Sequence, residues 1–172
     1  MADERSKVVT MFDKPMTLLG PGLTAGDIAP DYTLLDNSLR PVTLADSAGK
    51  TRLISVVPSL DTEVCDIQTK MFAREVKKTG EDILFYTVSM DLPFAQKRWV
   101  EDNKISDTIT LSDFNDANFG LNYGLLLKEI RLLTRAVLII DSENNLPYFE
   151  IVPEIHHEPN YADSLEALRN LK

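Results

Sequence analysis

Leu53-Ile54-Ser55-Val56-Val57-Pro58-Ser59-Leu60-Asp61-Thr62-Glu63-Val64-Cys65 is the stretch whose reading decides the fold. Leu53–Val57 is short, apolar, rich in β-branched residues and closed by a proline, the pattern of a buried strand. After Cys65 the apolar residues change period: Val64, Ile67 with Gln68, Met71 with Phe72, and Val76 recur at helical spacing. The order is therefore strand, tight loop, helix. Thr62 is the N-cap candidate, which places Cys65 in the helix's first turn. A thiolate there meets unpaired backbone N–H groups and the positive end of the helix dipole. Both favour the anion, the form in which cysteine is a nucleophile.

The other reading of Cys65 is a small buried hydrophobe, chemically inert. Its position beyond the carboxyl end of a strand, where open α/β sheets carry their sites, argues for reactivity. It is the only cysteine in 172 residues, so no disulfide forms within the chain. Lys and Arg number 18 against 27 Asp and Glu, a net charge of −9, which argues against nucleic acid and anionic membrane surfaces as partners. The longest apolar runs, such as Ala136–Ile140, are too short to span a bilayer. The opening Met1-Ala2-Asp3-Glu4-Arg5 has no apolar signal core, and a cytoplasmic location is expected. A chain of this length buries enough surface to fold without metal or disulfide.

Residues 1–7 are charged and expected to be a flexible N-terminus; residues 8–172 are expected to form a single domain. Val8–Phe12 and Met16–Leu19 flank Asp13-Lys14-Pro15, as in a β-hairpin. Residues 20–30 are a loop by their glycines and prolines. Tyr32–Leu35 and Val42–Leu44 read as brief strands, with one helical turn at Ala45–Ala48. Ile83–Met90 is a strand, and Asp91 is the expected cap of a helix with Pro93 in its first turn, running to Val100 or Glu101. Ile109–Ser112 is a short strand, and Asp116 is the expected cap of a short helix over Asn118–Tyr123. Leu125–Leu133 reads as irregular. Thr134–Ile140 is apolar enough to be a central strand, Asp141–Asn145 a turn, Leu146–Val152 a return strand at the sheet edge, and 161–171 a final helix. Strands alternating with helices, then a closing hairpin, predict a three-layer α/β fold with a mixed sheet.

Around Cys65, Thr62 caps the helix, turns its hydroxyl toward the sulfur or does both, and Pro58 ends the strand or shields the sulfur from water. Arg135, at the start of an apolar strand, would favour the thiolate and bind an oxygen-rich substrate if it lay near Cys65. Spacing alone does not choose between it and Arg52, Arg98 or Arg131. His156-His157 is the only metal-like pair; no further ligand completes a site, so it reads as solvated surface, and no cofactor is called for. Trp99 reads as core or interface.

Pro58–Cys65, followed by Gln68-Thr69 and Phe72, resembles the peroxidatic site of the peroxiredoxins, and more narrowly their bacterial thiol peroxidase branch. The resemblance extends through Gly26-Asp27, Ala29-Pro30-Asp31, Val88–Gln96, Leu111-Ser112-Asp113, Phe119-Gly120, Tyr123-Gly124, Leu132–Val137 and Glu158-Pro159. It implies a thioredoxin-like fold with an N-terminal hairpin, and a homodimer. It implies reduction of hydrogen peroxide and alkyl hydroperoxides, with thioredoxin as electron donor. Carried over, Cys65 is the peroxidatic cysteine, supported by Pro58, Thr62 and Arg135. The sequence departs from the branch at one place. Where a resolving cysteine follows Phe94–Trp99, this chain has Val100, so the sulfenic acid formed on Cys65 would need an external thiol.

Two functional classes remain on this reading. One is a peroxidase working with a single cysteine; the other is a redox sensor or binding protein oxidised stoichiometrically and relaying oxidation to a partner. A disulfide oxidoreductase of the thioredoxin type is set aside, because Thr62 stands where a Cys-x-x-Cys pair would need its first cysteine.

Overall fold

The computed structural model describes residues 2–79 and 83–171. In chain order its elements are β1 (Glu4–Met11), β2 (Lys14–Leu19), β3 (Thr33–Leu35), β4 (Pro41–Thr43), a 3-10 turn (Leu44–Ser47), β5 (Thr51–Val56), α1 (Glu63–Thr79), β6 (Ile83–Ser89), α2 (Pro93–Asn103), β7 (Ile109–Ser112), α3 (Asn118–Asn122), β8 (Leu126–Leu127), β9 (Ala136–Ile140), β10 (Tyr148–Ile151) and α4 (Tyr161–Arg169). They form a 7-stranded sheet in the order β10-β9-β5-β6-β7-β3-β4 and a 3-stranded sheet β1-β2-β8. β5, β6 and β7 run parallel, whereas β9 is antiparallel to β5 and β10 to β9. This is the mixed, thioredoxin-like sheet with an N-terminal hairpin.

Side chains alternate across the strands and build two cores. On one face Leu53, Phe85, Val137 and Ile139 pack under α1 and α4 against Phe72, Val76 and Leu168. On the other, Ile54, Val56, Val88, Leu138 and Ile140 pack against Tyr32, Phe119 and Tyr123. β9 is wholly buried between β5 and β10, as its unbroken apolar run requires. β10 is one of the two edge strands of this sheet, β4 being the other, and Pro147 precedes it.

Several local expectations change. β1 begins at Glu4, inside the charged stretch expected to be flexible; Met1 lies outside the described residues. Arg5 donates to the carbonyls of Gly20 and Gly124, tying that stretch down. The hairpin turn is Phe12-Asp13, both with positive φ, and Lys14 and Pro15 already belong to β2. That backbone matches the strand twist of a two-residue turn. Asp91 does not cap α2; Leu92 holds that position, and α2 runs on to Asn103. Asp116 does not cap α3 either. Asp113 accepts hydrogen bonds from Phe119 N at 3.0 Å and Gly120 N at 2.7 Å. The stretch read as irregular contains β8, paired with β2 at Leu18 and Leu19. Finally, the buried face of α1 is Cys65, Gln68, Thr69, Phe72, Ala73 and Val76. Ile67 is exposed. The polar pair Gln68-Thr69 faces inward and shifts the buried stripe by a fraction of a turn.

Candidate active site

β5 ends at Val56, and Val57 N donates to Val88 O at 3.0 Å, continuing the pairing for one residue. The chain then turns through Pro58–Thr62 into α1, whose first-turn backbone bond runs from Asp66 N to Thr62 O at 3.0 Å. Asp91, beyond the end of β6, holds this turn. Its carboxylate accepts from Ser59 Oγ and Leu60 N, both at 2.7 Å, and from Ser89 Oγ at 2.8 Å. A helix cap was expected of Asp91; its carboxylate instead braces the loop between β5 and α1.

Cys65 has no exposed surface and is a free thiol. Thr62 Oγ1 lies 2.7 Å from its sulfur and 2.9 Å from Ser59 O. The hydroxyl thus turns toward the sulfur, one of the two orientations the sequence allowed. Arg135 Nη2 is 3.4 Å from the same sulfur. Arg135 is buried, with Nε donating to Ile155 O at 2.7 Å and Nη1 to Gln68 Oε1 at 2.8 Å. Gln68 Nε2 in turn donates to Ser55 Oγ at 2.7 Å. Each of the three guanidinium nitrogens thus has a protein partner, so the cation is held in place before any substrate arrives.

The four sequence candidates are treated differently by the fold. Cys65, Thr62 and Arg135 meet at one sulfur, and Pro58 is buried in the wall of the adjoining cleft. This cleft, about 220 Å³, is also lined by Met11, Leu132 and His156. The rival arginines lie elsewhere. Arg52 is fully buried at the opposite end of β5, held by Ser47 Oγ, Lys50 O, Asp141 O and Asn144 Oδ1. Arg98 and Arg131 are exposed. Trp99 is core, packed with Val57, Leu60 and Cys65, and Val100 packs against the same cluster.

The sequence reading gave Gln68 and Asp91 no part at the site, and it did not single out Ile155. Gln68 had a signal, a glutamine at a helix position that periodicity assigns to the buried face, but nothing nearby in sequence reveals its partner. His156 was read as solvated surface. Its ring instead stacks on Phe12 with centroids 3.6 Å apart, and its Nε2 is buried. His157 is exposed.

With this geometry in view, the chain matches the Redoxin family model over residues 24–165. It is 48% identical over 163 residues to the thiol peroxidase of Staphylococcus saprophyticus, covering 95% of this chain and 98% of that protein. It is 49% identical over 162 residues to the thiol peroxidase of Halalkalibacterium halodurans, covering 94% and 96%. Its structure is similar to that of a peroxiredoxin-like protein from Aquifex aeolicus, with a TM-score of 0.89 and 37% identity over 98% of this chain and 99% of that one. A thiol peroxidase from Chromobacterium violaceum has the same fold, with a TM-score of 0.85 at 19% identity over 94% of each chain. The match in family, identity and coverage is sufficient to conclude that this chain belongs to the Redoxin family.

Proposed function

We propose that this protein is a thiol-dependent peroxidase that reduces hydrogen peroxide and alkyl hydroperoxides through Cys65. The observation that carries the reading is the sulfur itself, buried at a helix N-terminus with the Thr62 hydroxyl at 2.7 Å and the Arg135 guanidinium at 3.4 Å. The thiolate attacks the terminal oxygen of the peroxide. An S–O bond forms, the O–O bond breaks, sulfur is oxidised to sulfenic acid, and the alkoxide or hydroxide that departs takes up a proton. Arg135 and Thr62 stabilise the charge spread over sulfur and the two oxygens, and Pro58 limits water at the sulfur.

Val100 occupies the place of a resolving cysteine in this reading. An external thiol therefore condenses with the sulfenic acid, releasing water, and a second thiol frees Cys65 from the mixed disulfide. Thioredoxin is the proposed donor. A homodimer is proposed as well, supported by Leu92 and Phe94, two apolar residues beside Asp91 that are 50% and 63% exposed. The lone free thiol fits the reducing cytoplasm.

The test is peroxide consumption by the purified protein with thioredoxin and its reductase, with glutathione, and with dithiothreitol. Catalytic turnover with at least one donor, abolished in Cys65→Ser, is expected. Oxidation of one equivalent with no turnover under any donor would replace the enzyme by a stoichiometric sensor.

A further inference from the structure

Glu63 is the one carboxylate in the wall of the cleft beside Cys65, and no step above uses it. It is the first residue of α1, in the same turn as Cys65. A carboxylate there suits the positive end of the helix dipole, which accounts for it on grounds of stability. Its location adds something further. Glu63 is exposed and yet lines the cleft with Thr62 and Arg135, which puts it at the rim. Among the described residues its side chain has no ion pair or hydrogen bond to neutralise it. Asp61, also exposed, adds a second negative charge in the turn that leads into α1.

The rest of the wall offers no free positive charge. Met11, Val64, Leu132 and Ile155 are apolar. Arg135 has Nη2 at the sulfur, with Nε and Nη1 held by Ile155 O and Gln68 Oε1. The Nε2 of His156 is buried and offers a substrate no contact. At about 220 Å³ the cleft is smaller than an ordinary small-molecule site, roughly 300–1,000 Å³. A short alkyl group fits among the apolar side chains. Whatever the substrate carries beyond that group lies at the rim, with Glu63.

We propose that Glu63 is a specificity-determining residue, biasing Cys65 toward uncharged hydroperoxides and against those that carry an anionic group. This inference rests on the reading of Cys65 as the peroxide-reducing sulfur, since it is that sulfur's substrate that Glu63 selects. The hydroperoxide group is itself neutral at pH 7, so Glu63 acts only through another charge on the molecule, such as a carboxylate. Two like unit charges about 6 Å apart in water repel enough for roughly a 3-fold effect on rate. The repulsion weakens as salt is added, because both charges lie in solvent.

One hydroperoxide in two charge states separates charge from chemistry. β-Hydroperoxyisovaleric acid is an anion at pH 7, and its methyl ester is neutral with the same tertiary hydroperoxide. Oxidation of Cys65 by each is measured in a single turnover by quenched-flow mass spectrometry, at about 10 mM and about 500 mM salt. The quantity read is the ester-to-acid ratio of rates. At low salt Glu63→Gln should lower this ratio by about 3-fold, and Glu63→Lys, which reverses the charge, by about 10-fold. At high salt the differences should shrink. Glu166→Gln, which removes an exposed carboxylate on α4, should leave the ratio as it is. A weakened helix or a less reactive sulfur would move both rates together and leave the ratio alone. A ratio unchanged in Glu63→Lys, a ratio lowered equally in Glu166→Gln, or an ester that fails to react while hydrogen peroxide does, would overturn the proposal. If Cys65 is oxidised by neither compound nor by hydrogen peroxide, or Cys65→Ser consumes them as fast as the parent, the peroxidase reading fails instead, whatever Glu63 does.

Discussion

Gln68 Oε1 accepts a hydrogen bond from Arg135 Nη1 at 2.8 Å, and Gln68 Nε2 donates to Ser55 Oγ at 2.7 Å. All three residues are fully or almost fully buried. A glutamine on α1 thus connects β5 to the arginine that precedes β9, and that arginine returns to the sulfur on α1. Gln68→Leu should leave one guanidinium donor unsatisfied and the arginine free to swing. The expected result is a roughly 10-fold slower oxidation of Cys65, the size of one such hydrogen bond, with a smaller change in thermal stability. Stopped-flow peroxide kinetics beside a melting curve checks it, and an unchanged rate would show that Ile155 O alone aims Arg135.

Cys65→Ser should abolish peroxide consumption while the fold survives, since the side chain is nearly isosteric. Arg135→Ala should cost on the order of 10²-fold in rate, by analogy with removing one donor to a developing anion. Thr62→Val should slow the reaction by less, because Arg135 remains. The comparison is second-order rate constants for hydrogen peroxide; an Arg135→Ala protein as fast as the parent would remove the arginine from the chemistry.

Asp91→Ala should loosen the turn from Pro58 to Thr62, since three donors lose their acceptor. The cost should be about 2 kcal/mol, two or so net hydrogen bonds, accompanied by slower oxidation of Cys65. Urea unfolding and the single-turnover rate are the measurements, and a stable but slow variant would show that the turn is rigid without Asp91.

Val100 packs in the cluster of Val57, Leu60, Cys65 and Trp99, so α2 is expected to stay ordered when Cys65 is oxidised. Peroxide-treated protein should gain one oxygen and, at high peroxide, a second. Val100→Cys should instead lose two hydrogens as an intramolecular disulfide forms, and should turn over faster with thioredoxin. Intact mass before and after peroxide separates the two. A Val100→Cys protein that gains oxygen and never bridges would show that residue 100 does not hold the resolving position.

Asp113 is 2% exposed, and burial pushes its carboxyl up to about 6 despite the N–H groups of Gly120 and Phe119 that it accepts. The folded value lies above the unfolded one of about 3.9. The folded state therefore holds its proton longer, and the stability contributed by this group is greatest below pH 4 and falls as pH rises toward 6. The fall should be about 2 to 3 kcal/mol if no other group compensates. Urea unfolding of wild type and Asp113→Asn from pH 4 to 7 isolates it; the difference between the two should change over this window, and a difference independent of pH would show that Asp113 stays ionised throughout.

Legibility in the sequence followed distance along the chain. The strand before Cys65, the helix after it, the buried strand at Ala136–Ile140 and the final helix all rest on patterns a few residues long, and the resemblance of Pro58–Cys65 and Asp91–Gln96 identified the chemistry. Caps were the weaker part: Asp91 and Asp116 stand where caps stand, yet their neighbours in space claimed Asp91 for the Pro58–Thr62 turn and left α3 to Asp113.

By itself, the sequence determined that Cys65 sits in the first turn of a helix behind a buried strand, because strand period, proline and helix period are local properties of the chain. Which arginine lies against that cysteine was decided only by the tertiary structure. β9 runs antiparallel to β5, so Ala136 pairs with Val56 and Ile140 with Arg52. Arg135 is thereby delivered to the carboxyl end of β5, beside Cys65, while Arg52 is left at the far end among Ser47, Asp141 and Asn144. A parallel β9 would have reversed the ends. The direction of a strand is chosen by the packing of the whole sheet, and so are the inward turn of Gln68 and the stack of Phe12 on His156; no window of neighbouring residues contains that information.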